Sequence, residues 1–225
     1  VIGVAAVVFV AITGTQAAAN TISFQIVVDH CTGNCGPQTS FGTVTITDVA
    51  SNQVSVDVTL LNNNKFVNTG LPAFGFNLNG ISTFTFSGLT SNFAFENMTS
   101  GTVTANTIGD DGFGDFDFAV DYTGGSGGSN PAAGPLDFTL TATGLSTASF
   151  MKLSSGGHPS AYFGVDILSG TTGKTGPVGV ICGPGECVTI TPFTTVPEPA
   201  SFLLLGSGLL AAAAVVRRRP RARSK

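Results

Sequence analysis

Along most of this chain apolar and polar side chains alternate one by one. Val54, Val56, Val58 and Leu60 alternate with Ser55, Asp57 and Thr59, the period of a strand that buries one face. Val44 and Ile46 alternate with Thr43, Thr45 and Thr47 ahead of them, and Ala50-Ser51-Asn52 supplies a turn, so the two runs predict a hairpin. The same period recurs at Phe74, Phe76 and Leu78, ended by Asn79-Gly80, at Phe84 and Phe86 before Gly88, and at Phe93 and Phe95. It returns at Leu136, Phe138 and Leu140 against Asp137, Thr139 and Thr141, and at Phe163, Val165 and Ile167 against Gly164 and Asp166. Phe116, Phe118, Val120 and Tyr122, set against Asp115, Asp117 and Asp121, predict one further strand. No 3.6-residue period persists for a full helix between these runs. About ten short strands with turn signals between them predict an all-β body, an antiparallel β-sandwich of jelly-roll-like kind. Of the eighteen phenylalanines only Phe9 and Phe202 lie outside that body, and the rest predict its core. The glycine-serine tract Gly124–Ser129 predicts a long flexible loop.

Both ends break the alternation. Residues 1–12 are nearly all Val, Ala, Ile and Phe and run into Thr13-Gly14-Thr15-Gln16-Ala17-Ala18-Ala19, which reads as a secretory signal peptide cleaved after Ala19. It lacks an initiating Met and a basic leader, so its start reads as truncated. At the other end, residues 200–216 carry no charge and give about 25 Å of helix at 1.5 Å rise per residue, the short end of a membrane span. Arg217, Arg218 and Arg219 follow, the first of a basic tail over 217–225 that anchors the topology, because a cationic flank is retained on the cytoplasmic side. The body would then lie on the outer side. Before the span, Pro197-Glu198-Pro199 is extended, lacks two amide donors and cannot join a sheet or continue the helix.

The succession Val196-Pro197-Glu198-Pro199-Ala200-Ser201, a Leu/Ala/Gly span and an arginine run resembles the PEP-CTERM sorting signal of exported proteins of Gram-negative bacteria. The resemblance implies a substrate of an exosortase-type membrane enzyme acting at Pro197, Glu198 and Pro199, usually where exopolysaccharide is made. It covers residues 196–225, with the tail past Arg219 longer than the family pattern, and leaves residues 20–195 as the body.

Charge narrows the partners of that body. Its three lysines, Lys65, Lys152 and Lys174, face twelve acids, for a net charge of −9, and every arginine lies in the tail. Nucleic acid is therefore not an expected partner, since phosphate contact needs cations. Only 10% of the chain is charged, and Thr, Ser, Asn and Gly supply the polarity, as in exported β-rich surface proteins.

Four cysteines stand in two close pairs, Cys31 with Cys35 and Cys182 with Cys187. Export predicts disulfides, local or joining the two pairs, with the connectivity open, and the spacings also fit a four-Cys zinc site. Asp110, Asp111, Asp115 and Asp117 form the sharpest polar cluster, readable as Ca²⁺ ligands or as a solvated acidic turn. His30 and His158 sit in loop-like sequence, so no catalytic residue and no cofactor is expected. These readings converge on a non-enzymatic structural or adhesive protein, passing through the inner membrane to the cell surface or matrix and associated with exopolysaccharide. The alternative is a polysaccharide-binding module stabilised by Ca²⁺.

Overall fold

A strand with one apolar face must bury it against a second layer. The computed structural model, which describes residues 19–181 and 188–189, supplies that layer. In chain order the strands are β1 (Thr21–Ile26), β2 (Val28–Asp29), β3 (Gly42–Ala50), β4 (Gln53–Leu60), β5 (Lys65–Asn68), β6 (Phe74–Phe76), β7 (Thr83–Ser87), β8 (Phe93–Phe95), β9 (Met98–Thr99) and β10 (Thr102–Thr104). They continue with β11 (Ile108–Asp110), β12 (Gly114–Phe116), β13 (Phe118–Tyr122), β14 (Gly127–Ala132), β15 (Leu136–Thr141), β16 (Ser155–Gly156), β17 (Phe163–Leu168), β18 (Thr175–Val180) and β19 (Val188–Thr189). A 3-10 turn spans Thr147–Phe150. Among the described residues no helix is long and apolar enough to cross a membrane. The segments read as signal peptide and as span lie outside the described residues, apart from Ala19.

The fold is an antiparallel β-sandwich. One sheet runs β19-β1-β3-β4-β15-β7-β10-β9, and the other β14-β5-β17-β6-β13-β8, with β18 and then β2 on the far edge of β17. β5 and β6 follow one another along the near edge of β17, which places β17 at the centre of the second sheet. The expected hairpin is β3–β4, turning where Asn52 adopts a left-handed φ of 63°. Between the sheets the phenylalanines meet: Phe24 with Phe163 at 5.0 Å between centroids, Phe84 with Phe118 at 4.9 Å, and Phe95 with Phe138 at 5.2 Å. Phe76 touches Phe74, Phe84, Phe118, Phe138 and Phe150.

Outward, the first sheet is a surface of hydroxyls. Register aligns Thr21, Thr47, Ser55, Thr139 and Ser87 in one cross-strand row, and Thr141, Thr85, Thr102 and Thr99 in another. Neighbouring hydroxyls bond, Thr21 with Thr47 at 3.1 Å. Asp57 and Asp137 face each other across β4 and β15 on this side. Burial first, and then the hydrogen bond and charge of Asp57, push Asp137 up to about 6.

Two expectations need correction. The strand expected through Phe116 and Phe118 is two strands, split at Asp117, whose amide donates to the side-chain oxygen of buried Asn77 at 2.6 Å. β12 leaves the sandwich to form a small third sheet, β11-β12-β16, while β13 stays in the second sheet. Phe116 therefore points into a separate outer cluster with Phe113 and Ala161, and Phe118 into the main core. The Gly124–Ser129 tract is not one long loop either. From Gly127 the chain becomes strand β14, paired with β5, and the turn before it is tied by the Tyr122 hydroxyl on the Asn130 carbonyl and the Asn130 amide on the Gly124 carbonyl at 2.7 Å.

The third sheet is seated by a lane of glycines. Gly75, Gly164 and Gly179 lie side by side on β6, β17 and β18. A Cβ at Gly75 would come within 2.6 Å of Phe116 Cδ2, and one at Gly179 within 2.5 Å of Phe113 Cζ. The two rings occupy space that side chains would otherwise fill.

Two predictions follow from this packing. Gly75→Ala should destabilise the protein by about 1–3 kcal/mol through overpacking. In a Gly75→Ala/Phe116→Ala double variant the two losses should fall short of their sum in denaturant melts, and strict additivity would contradict the seating. A carboxyl raised in the fold contributes stability that is full below its free value, near pH 4, and is lost as pH rises through about 6. Asp57→Asn should therefore stabilise at pH 7 by about 0.2–1 kcal/mol, solvent screening keeping the effect small, and do nothing below pH 4.

Candidate functional site

β11 and β12 pair Ile108 with Phe116, Gly109 with Asp115 and Asp110 with Gly114. Residues opposite one another share a face, so Ile108, Asp110 and Phe116 point toward the second sheet while Asp115 points away. The acidic run is thereby divided. Asp110 is 4% exposed, Asp111 lies in solvent, Asp115 is half-buried on the other face, and Asp117 pairs with Lys152. The four carboxylates, readable as Ca²⁺ ligands or as a solvated acidic turn, do not gather into one group.

Asp110 instead meets a residue far away in sequence. Its Oδ2 rests on Gly164, where any Cβ would overlap it, and Asp166 stands two residues along the same face of β17. Asp166 is 0% exposed. Its Oδ2 accepts the Thr69 amide at 2.8 Å and the Thr69 hydroxyl at 2.6 Å. Its Oδ1 has no hydrogen-bond partner, and neither oxygen of Asp110 has one. Burial, then the charge of Asp166, then that of Asp111 push Asp110 up to about 8. Burial also lifts Asp166 to about 6, opposed by the two Thr69 bonds.

A cleft of about 380 Å³ is lined by sequence neighbours of these residues, though Asp110, Asp166 and Thr69 are not in its lining. Its walls include Asn68 and Gly70, which flank Thr69, and Ile108 and Gly109, which precede Asp110. Glu96 and Asp121 also line it. Burial and the neighbouring Asp121 raise Glu96, and burial raises Asp121 against the lowering effect of its bond to Glu96. Neither Asp166 nor Glu96 stood out in the sequence. Asp166 occupies the outward phase of a strand, where an acid signals solvent unless a further layer covers it.

The cysteine reading is resolved in part. Cys31 and Cys35 form a disulfide, and Cys182 and Cys187 lie outside the described residues. Asp29 closes the same loop, accepting the Cys31 amide at 2.8 Å and the Cys35 amide at 2.7 Å. Asp29, Cys31 and Cys35 stand close enough to hold a metal, but sulfurs joined to each other offer no thiolate. His30 packs its ring on Phe113 at 4.7 Å between centroids. Pro197, Glu198, Pro199, Arg217, Arg218 and Arg219 fall outside the described residues.

For those tail residues the comparison with known families is direct. A model of the PEP-CTERM protein-sorting motif matches residues 195–219, so the sequence-derived tail past Arg219 extends beyond the matched pattern. No curated protein and no solved structure matches the chain. The chain carries a PEP-CTERM sorting motif and is an exported protein recognised by an exosortase-type processing enzyme at the membrane.

Asp29 provides the test of the disulfide loop. Asp29→Ala removes two amide bonds to a carboxylate and should cost about 1.5–3 kcal/mol in urea melts of the oxidised protein. A loss below a few tenths would mean that the loop needs no such clamp.

Proposed function

We propose that the sandwich is a non-enzymatic structural or adhesive module, delivered by its sorting motif to the cell surface or matrix and held there within exopolysaccharide. The observation that carries this reading is the outer face of the first sheet. Its aligned rows from Thr21 to Ser87 and from Thr141 to Thr99 offer closely spaced hydroxyls that can donate and accept, without a lysine or arginine among them. Such a surface exchanges hydrogen bonds with sugar hydroxyls at little desolvation cost, because a hydroxyl gives up far less hydration than an ion does. The disulfide at Cys31 and Cys35 and the arginine-free, acidic body fit an oxidising, extracytoplasmic setting.

In this reading the N-terminal segment starts export and residues 200–216 arrest in the membrane with Arg217, Arg218 and Arg219 inside. Cleavage near Pro197-Glu198-Pro199 then frees the body. Polysaccharide binding as a discrete lectin-like activity is the second reading, and the same face favours it.

Changing Pro197, Glu198 and Pro199 to alanine should leave an uncleaved species in the membrane fraction, seen by immunoblot with its basic tail intact. Normal maturation of that variant would remove the sorting role. Thr47→Glu/Thr139→Glu places two carboxylates in the central hydroxyl row and should release the folded protein from matrix into medium. Undiminished retention, with an unchanged circular dichroism spectrum, would show that this face makes no contact.

A further inference from the structure

Three carboxylate oxygens lie buried together without a hydrogen-bond partner: both of Asp110 and Oδ1 of Asp166. Buried oxygens of this kind are ordinarily satisfied, and leaving them bare costs several kcal/mol per charged group. Among the described residues no ion pair reaches them. The body has no arginine, and the ion pair among the described residues is Lys152 with Asp117. No hydrogen bond joins the two carboxyls, so a proton on Asp110 is not shared with Asp166, whose Oδ1 stays without a partner. The Thr69 amide and hydroxyl both bind Asp166 Oδ2, which fixes that carboxylate and leaves its other oxygen unused.

We propose that Asp110 and Asp166 bind one hard divalent cation, Ca²⁺ in preference to Mg²⁺, which ties the third sheet to the sandwich. Oxygen donors from carboxylates suit such ions. Ca²⁺ accepts six to eight of them at variable angles, whereas Mg²⁺ demands a near-ideal octahedron. Water and backbone carbonyls of the elements that carry the two aspartates would fill the remaining positions. Gly164 is part of the same design, since any side chain there would displace Asp110 Oδ2. The site differs from the cluster that the sequence suggests: Asp111, Asp115 and Asp117 lie outside it.

The full-length chain in detergent, stripped with chelator and then titrated with CaCl₂ or MgCl₂ alone, provides the test. At a hundredfold excess over its Kd, Ca²⁺ should raise Tm by about 5–10 °C, with one ion bound per chain in equilibrium dialysis. Mg²⁺ should give less than half that shift, and an equal response would overturn the preference for Ca²⁺. Asp110→Asn and Asp166→Asn should each abolish the shift, while Asp111→Asn and Asp115→Asn keep it. At about pH 9 in chelator, above the value of about 8 for Asp110, Asp110→Asn should melt no lower than the parent, because there it removes a buried charge. If Asp110→Asn does not fold, Asp166→Asn and the wild-type stoichiometry decide. Absence of bound Ca²⁺ at millimolar concentration, or a shift that survives both asparagine variants, overturns the site.

Discussion

Contact between phenylalanine rings across two sheets is the interaction on which this molecule rests. Phe76 draws rings from β6, β7, β13, β15 and the 3-10 turn to itself, so that both sheets and that turn share a centre. Each fully buried ring removes enough apolar surface to contribute about 1.5–3 kcal/mol, and pairs in tilted or edge geometry add about 0.5–1.5 kcal/mol. A chain with no Trp builds its interior on phenylalanine, which has no polar atom to satisfy. The outer faces are thereby free to be entirely hydrophilic.

How far the sequence predicts this depends on the number of layers. The β3–β4 hairpin, the alternation of β15 and β17 and the phenylalanine core could be read directly, because a two-layer sandwich is encoded by period two. The third layer escapes that code. Phe116 and Phe118 have the same parity yet face opposite cores, because the chain changes sheets at Asp117 under the hold of Asn77. Gly75, Gly164 and Gly179 are the seat for Phe113, Phe116 and Asp110. The signal for such a lane is a glycine on the outward phase of neighbouring strands, and it can be recognised only once the register is known.

The candidate sites divide along the same line. The sorting motif was legible because it is linear: an enzyme that reads Pro-Glu-Pro beside an apolar run needs no folded context. The carboxylate pair was not, since Asp110 and Asp166 meet only when the third sheet folds back onto β17. The sequence reading grouped Asp110 with its neighbours in the turn, and the fold sets it beside Asp166. Acids adjacent in a turn suggested a shared ligand, and strand alternation sent Asp110 and Asp115 to opposite faces.

β14 has a consequence for contact between copies. It closes one end of the second sheet with Gly127, Gly128, Ser129, Asn130, Pro131 and Ala132, and Pro131 has no amide hydrogen to offer. A free edge of that composition makes a poor template for a neighbour's strand. Copies that meet at this edge gain no backbone pairing to zip them into a continuous sheet.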